Sequence, residues 1–399
     1  MVRSRCSARR GAGCAGVDIV FFEKGNGRRG HYPCFFAPAC YFVGMFIKHV
    51  AAKKYTLKLR EPFSYHTLTL DSLWYVLITA TSSTGVVGIG EAALAWDVTG
   101  ETQEGALAAA ALAAPFIAGA HIDSVADVKN IITAIEATIA NNTGLKAGIE
   151  SALLDILGQT KKLPIYKLLG GSAKPFIILQ KTFSFQETRR DVASVIQAAI
   201  GQGVNVFKFK VGGRQAEEVK ILRKIYKRFP EIDIVLDANQ AWSSPRAALT
   251  FLSALKDVKL KWLEQPLASQ DYDGLAALRR QTSVPIMADE SCHNVHDLKL
   301  LHEKQAIDLV NIKLAKCGGL FAACAMIDYC EKNGIGCMLG DMLHSAVGTA
   351  YNLQAACLGK FISYDLTLPE RLQSDKSRGL IFEGFKAYIP TQSGLGVTR

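Results

Sequence analysis

Six side chains in this 399-residue chain combine charge and spacing in a way that an ordinary surface does not require. Lys208 and Lys210 stand two apart in Val206-Phe207-Lys208-Phe209-Lys210-Val211. That stretch reads as a β-strand from its alternation and its β-prone residues. The two lysines therefore share one face, and Phe207 and Phe209 take the other. Adjacent ammonium groups repel, and burial also disfavours their charge, so one of the pair is a candidate proton-transfer base. A lone Lys-x-Lys is ordinarily a solvated edge strand, and only the rest of the chain can overturn that.

Three later strand-like segments each end in a carboxylate: Asp237 in Leu-Asp-Ala-Asn, Glu264 in Leu-Glu-Gln-Pro, and Asp289 in Ala-Asp-Glu-Ser. Any one of them could cap the next helix. At the same point of consecutive units they point to a shared task. Brought together uncompensated, they would repel, and a divalent cation is the economical resolution. An all-oxygen set suits Mg2+, with Mn2+ as the alternative, rather than zinc. Lys313 ends the following strand, so Lys210 and Lys313 are expected on opposite sides of the metal. Two bases flanking a metal suit reversible proton transfer at a carbon acid. One lysine removes the α-proton, the metal stabilises the enediolate, and the other lysine returns a proton to the opposite face. Lys208, one pleat deeper, is expected to hold down the pKa of Lys210 and to help bind a substrate carboxylate. Lys316 is expected to face solvent and is given no role.

Such residues need a frame that gathers strand ends at one mouth. After Leu169-Gly170-Gly171, short apolar strands alternate with helical segments at intervals of about 25 residues, the spacing of repeated βα units. The strands are expected at 176–183, 206–211, 234–237, 262–264, 286–289, 310–313, 336–339 and 362–365. Eight such units predict a closed parallel barrel, whose chemistry collects at the C-terminal strand ends. A doubly wound open sheet fits less well, because no glycine-rich phosphate loop follows an early strand. Before the barrel, residues 45–170 read as a small α+β unit. Strands are expected at 55–59, 74–80 and 85–91, and helices at 106–114 (ended by Pro115), 125–139 and 145–161.

The formal charge of +10 does not mark a nucleic-acid binder. Half of the excess lies in residues 1–44, and no basic patch interleaved with aromatics follows. The body cysteines form no Cys-x-x-Cys pair and read as buried thiols in a reducing, cytoplasmic compartment. The apolar run at 32–47 contains Pro33, Pro38 and Gly44, so no membrane span is expected. Residues 1–44 read as an over-extended start outside the fold, with Met45 as a plausible true beginning.

The set Lys208-Phe209-Lys210, Asp237-Ala238-Asn239, Glu264-Gln265-Pro266, Asp289-Glu290-Ser291 and Asn311-Ile312-Lys313 resembles the muconate-lactonising-enzyme subgroup of the enolase superfamily. The resemblance runs from about Met45 to Val397. It implies a modified (β/α)7β TIM barrel at 171–370, under an α+β capping domain at 45–170, with 371–399 returning to the cap. It also implies Mg2+ on Asp237, Glu264 and Asp289, and acid/base roles for Lys210 and Lys313. Val98–Thr102, Lys181–Ser184 and Lys313–Gly319 look most like dipeptide epimerases of the L-Ala-D/L-Glu type. Members of this family often form homo-oligomers.

The resemblance gathers Thr182, Lys208, Asp341, Met342, Asp365 and Thr367 around the substrate. In dipeptide epimerases the eighth strand carries Asp-x-Asp, which binds the dipeptide ammonium; here it is Asp365-Leu366-Thr367. His344 stands where the subgroup usually has an acid. Asp341, where epimerases carry a small residue, is expected to restore part of the lost negative charge. The cap loop Pro62–Leu68 contains no Arg or Lys, and His66 alone is a weak anion site at neutral pH. A dipeptide with a neutral or hydrophobic second residue is therefore the expected substrate. The competing expectations are other subgroup reactions (N-acylamino acid racemisation, o-succinylbenzoate synthesis, muconate cycloisomerisation) and a non-catalytic metal-binding homologue.

Overall fold

The computed structural model describes residues 18–19, 44–65, 68–185, 187–189, 192–368, 371–373 and 375–399. The predicted extension thus lies outside the described residues, apart from Gly44 and β1 (Asp18–Ile19), whose backbone pairs with His49 and Val50.

β2 (Ile47–Tyr65), β3 (Leu68–Ser82) and β4 (Val87–Ala93) form an antiparallel meander. The first two strands are much longer than their apolar alternation predicts, because hairpin pairing carries the ladder through polar stretches. A register shift between Lys58 and Phe63 bends the hairpin end. Helices α1 (Gln103–Ile117), α2 (Val125–Thr138), α3 (Thr143–Lys161) and α4 (Ile165–Leu168) complete this unit. Pro115 does not stop α1, contrary to expectation. It sits in the last turn, where one lost donor is tolerated and Ala114 and Ile117 are buried on either side.

α3 is buried from Gly144 to Gly158 and lies against β4. The spacing of Gly88 and Gly90 explains how. A Cβ at either position would stand 2.1 Å from the Ala152 carbonyl oxygen or 1.9 Å from that of Gly148. Only glycine lets the helix backbone rest directly on the strand.

The barrel strands are β6 (Lys181–Phe183), β7 (Val206–Lys210), β8 (Asp233–Asp237), β9 (Leu260–Glu264), β10 (Ile286–Ala288), β11 (Leu309–Lys313), β12 (Gly336–Gly340) and β13 (Ser363–Asp365). They pair in sequence order, all parallel. The Gln180 amide donates to the Tyr364 carbonyl at 2.9 Å, nearly closing the ring. The single strand expected at 176–183 is divided. Its first part, β5 (Phe176–Ile178), turns away to pair antiparallel with β15 (Lys386–Tyr388), which also pairs with β14 (Phe382–Glu383). Leu179 and Gln180 make the bend.

Outside the ring run α5 (Ala193–Gly201), α6 (Gln215–Arg228), α7 (Pro245–Ser253), α8 (Tyr272–Arg279), α9 (Val295–Glu303), α10 (Leu314–Cys317), α11 (Leu320–Asn333) and α12 (Ala346–Ala355). Among the described residues no helix is long and apolar enough to cross a membrane.

Inside the ring, strand alternation stacks chemistry in layers. Val206, Val235, Trp262, Met287 and Met338 form a dry apolar plug. Two residues further along three of the same strands come Lys208, Asp237 and Glu264, so the charges sit immediately above a floor that excludes water. The C-terminal segment meets the cap directly. Gln373 donates to the Lys58 carbonyl at 2.8 Å, and Leu395 donates to Asp155 at 2.8 Å.

Candidate active site

Parallel register puts Lys210, Asp237 and Glu264 in one row across β7, β8 and β9. Lys313, Gly340 and Asp365 form the corresponding row across β11, β12 and β13. The residues expected from sequence therefore converge on one mouth, all buried or half-buried.

Their ion pairs divide into two arms. Lys210 Nζ donates to Asp237 Oδ2 at 2.6 Å and to Asn239 Oδ1 at 2.8 Å. On the other side Lys313 Nζ donates to Asp289 Oδ2 at 2.6 Å. Between them Lys208 Nζ lies 2.8 Å from Glu264 Oε2, 2.7 Å from Asp365 Oδ2 and 3.1 Å from Asp237 Oδ2. Burial alone would lower the Lys208 pKa, but Asp365, Glu264 and Asp237 outweigh it and hold the group well above the ordinary lysine value. Lys208 is thus a fixed cation. Lys313 is likewise held above the ordinary value, against its burial, chiefly by Asp289.

The carboxylates respond in kind. Burial would raise Asp289, but Lys313 and Lys316 pull it far below the ordinary range. Lys316 is a correction to the sequence reading. It is fully buried, its Nζ donating to Asp289 Oδ1 at 2.8 Å, to the Asn311 carbonyl at 3.0 Å and to the Asp289 carbonyl. The short helix α10, which follows Lys313 immediately, turns Lys316 back beneath the mouth, a geometry that strand alternation could not suggest.

Glu264 behaves oppositely. Burial and the negative charge of Asp237 push it up to about 8. Its Oε2 is buried without hydrogen-bond geometry to any donor, though the Lys208 ammonium stands against it. Five carboxyl groups, Asp237, Glu264, Asp289, Glu290 and Asp365, crowd one mouth with Lys208, Lys210, Lys313 and Lys316, and burial with this crowding raises Glu264 and Glu290 above the ordinary range. Carboxyl groups that resist ionisation together, a Glu264 oxygen with no hydrogen bond and a donor set made only of oxygen fit a hard divalent cation. Among the described residues the carboxylates do not stand as a ready-made three-ligand cluster. Lys210 and Lys208 already hold Asp237 Oδ2, and Lys313 holds Asp289 Oδ2.

Asp365 is ionised and engaged, accepting from Thr182 Oγ1 at 2.7 Å as well as from Lys208. Asp341 sits beside it but is tied to Thr367, accepting from its amide at 2.5 Å and its hydroxyl at 3.0 Å. Thr182, Asp341, Met342, Asp365 and Thr367 all line the cavity above the lysines. His344 has another partner: its Nδ1 lies 2.8 Å from Glu91 of the cap strand β4. Burial alone would lower the His344 pKa, but Glu91 overcomes this and raises it. His344 therefore ties the seventh strand to an acid of the cap.

The cap hairpin closes the cavity with Phe63, Tyr65, Leu70 and Trp74, and Lys210 Nζ lies 5.6 Å from the Tyr65 ring centre. His66 lies outside the described residues. The absence of Arg and Lys from the cap loop does not leave the wall without a cation. Arg371, from the segment after the barrel, lines the cavity, with its guanidinium 5.2 Å from the Phe63 ring centre and donating to the Thr182 carbonyl. No local motif marks it; only the returning chain brings it there.

Residues 48–170 match the family model described as "Mandelate racemase / muconate lactonizing enzyme, N-terminal domain", and 191–399 match "Enolase C-terminal domain-like". The chain is 34% identical over 301 residues to the hydrophobic dipeptide epimerase of Enterococcus faecalis, covering 75% of this chain and 83% of that one. It is 31% identical over 363 residues to the L-Ala-D/L-Glu epimerase of Clostridium acetobutylicum, covering 88% and 99%. The crystal structure of the dipeptide epimerase from E. faecalis V583, complexed with Mg and L-Leu-L-Tyr, superposes with a TM-score of 0.82 at 30% identity, over 89% of this chain and all of that one. The parallel barrel, its separate antiparallel-sheet cap and both matched domains agree: this chain belongs to the enolase superfamily, in its mandelate racemase/muconate lactonizing enzyme branch.

Proposed function

We propose that this protein is an Mg2+-dependent epimerase, with Mn2+ as an alternative metal, that inverts the α-carbon of a dipeptide residue by proton transfer between Lys210 and Lys313. The carrying observation is the pair of lysines on opposite arms of one buried carboxylate row, each engaged with a different aspartate. A divalent cation held by Asp237, Glu264 and Asp289 would supply the positive charge that draws in a substrate carboxylate and acidifies the adjacent carbon.

Lys208, permanently charged, adds a fixed cation beneath the reacting carboxylate. The protonated Lys313 is in the state required to deliver a proton to one face, and Lys210 serves the other. The apolar floor and the cap hairpin exclude water, so the charges act at low dielectric. Phe63, Tyr65, Leu70 and Met342 favour a neutral or hydrophobic second residue. Among the described wall residues, Arg371 and Lys181, the latter paired with Glu187 at 3.1 Å, would favour an acidic one.

A second reading, racemisation of an N-acylated amino acid, draws support from Asp365 and Asp341. Their oxygens are already engaged by Lys208, Thr182, Thr367 and Leu343, which weakens the case for a substrate ammonium.

Both readings are tested by presenting a library of dipeptides and N-acylamino acids in deuterated water with added Mg2+. We expect α-deuteration of dipeptides, fastest for apolar second residues. Faster turnover of Ala-Glu than of Ala-Leu would reassign specificity to Arg371. Exchange confined to N-acyl substrates would select the second reading, and exchange with neither would end the epimerase proposal.

A further inference from the structure

Lys210 has a neutral partner as well as an ionic one, and that partner is itself held in place. Asn239 follows Asp237 by two residues in a left-handed conformation (φ 41°), with its amide donating to Asp237 Oδ1 at 3.0 Å. This backbone turn is one that asparagine tolerates better than most residues. It lets Lys210 Nζ reach Asn239 Oδ1 at 2.8 Å, while Asn239 Nδ2 donates to Glu290 Oε1 at 3.2 Å.

The chemistry of the ammonium end fixes the middle. An ammonium only donates, so the Asn239 amide must present oxygen to Lys210, and that turns its nitrogen to a carboxyl oxygen of Glu290. Removing the acceptor at residue 290 would release the Asn239 side chain from one of its two anchors and let it swing away from the ammonium. Glu290 is 8% exposed, lines the cavity, and keeps its Oε2 buried without a hydrogen bond. A buried carboxylate left half-satisfied is costly, and its retention calls for a task beyond packing.

We propose that Glu290 is a positioning residue for Lys210, acting through Asn239, and that this relay governs proton transfer on the Lys210 face of the substrate carbon. Among the described residues no side-chain amide relays Glu290 to Lys313, whose ammonium rests on Asp289 and feels the Glu290 charge directly. The inference rests on the two-lysine reading above.

Two readouts separate its failure from the failure of that reading. The first needs no substrate: a crystal structure of Glu290→Leu should show Asn239 Oδ1 and Lys210 Nζ separated beyond hydrogen-bond distance, whereas Glu290→Gln, which keeps a neutral acceptor, should preserve the contact. The second is kinetic. Exchange of each epimer is measured separately in deuterated water, with Lys210→Ala and Lys313→Ala identifying which epimer each lysine serves.

Glu290→Leu is expected to slow exchange of the Lys210-dependent epimer by about 100-fold in kcat, the loss typical of a misplaced catalytic group. Its KM should change little, and the opposite epimer should lose no more than it does in Glu290→Gln, which withdraws the same charge from Lys313. Glu290→Gln should recover most of the Lys210-dependent loss. Asn239→Gly, which keeps the left-handed turn but removes the amide, should behave as Glu290→Leu does. Equal loss for both epimers, or an unaltered Lys210–Asn239 contact in Glu290→Leu, would overturn the proposal.

Discussion

The barrel mouth and the seam between cap and barrel both bury carboxylates, but they satisfy them with different donors. At the mouth, Asp237, Asp289 and Asp365 face ammonium groups and are driven below the ordinary aspartate range in spite of their burial. At the seam, Glu150 of α3 accepts only neutral donors. These are the Leu320 and Phe321 amides at the start of α11, at 2.5 and 3.2 Å, and the Tyr351 hydroxyl at 2.6 Å. Asp155 likewise accepts from the Ile89 and Leu395 amides, at 2.9 and 2.8 Å. Burial then dominates, raising Glu150 to about 8 and Asp155 to about 6. Neutral donors join the two units without bringing further charge into the interior. Ammonium groups keep the three aspartates of the mouth charged, whereas Glu264 beside them is pushed up by burial and Asp237.

The most severe way to break this contrast is at the mouth. Lys210→Ala and Lys313→Ala should each reduce epimerisation by about 10²–10⁴-fold, the usual contribution of a general acid or base. Each should abolish exchange preferentially from one epimer, measured by mass spectrometry in deuterated water. Retained exchange of both epimers in either variant would remove the two-base mechanism.

Next comes the support beneath Asp289. Lys316→Met keeps bulk but withdraws one of that carboxylate's two ammonium partners, and removing one member of a buried pair costs about 3–5 kcal/mol. Urea unfolding should register this loss in the apoprotein. Wild-type stability would mean that Lys313 alone suffices.

The seam should respond to pH with its own sign. The unfolded chain loses the Glu150 proton near 4.5, whereas the folded protein keeps it to about 8. The native state therefore binds the extra proton between those values, and stability falls as pH rises through the window. The benefit is complete below 4.5 and gone above about 8. Glu150→Gln should flatten the upper part of the profile of thermal midpoint against pH. The smallest effect is expected from Asp155→Asn, with the same sign over the lower window from 3.8 to about 6. A Glu150→Gln profile parallel to wild type would mean that the seam carboxylate is ionised after all.

Much of the mouth was legible because strand alternation is a local rule. Once Val206–Lys210 is a strand, Lys208 and Lys210 must share a face, and repeated units ending in Asp237, Glu264 and Asp289 must meet if the sheet closes. The layer of Val206, Val235, Trp262, Met287 and Met338 is the same rule read two residues earlier. Residues whose roles depend on non-local geometry were not legible. Lys316 sits on a one-turn helix that folds back under Asp289, Arg371 arrives with the chain returning from the barrel, and His344 finds Glu91 253 positions away.

The sequence by itself determined the type of each reactive group and the strand it occupies, because side-chain direction in a strand follows from position alone. Only the tertiary structure decided which ammonium rests on which carboxylate, that Asn239 turns its oxygen to Lys210, and which carboxylates receive neutral donors. Those choices depend on distances between elements set by packing, as where Gly88 and Gly90 let α3 settle onto β4.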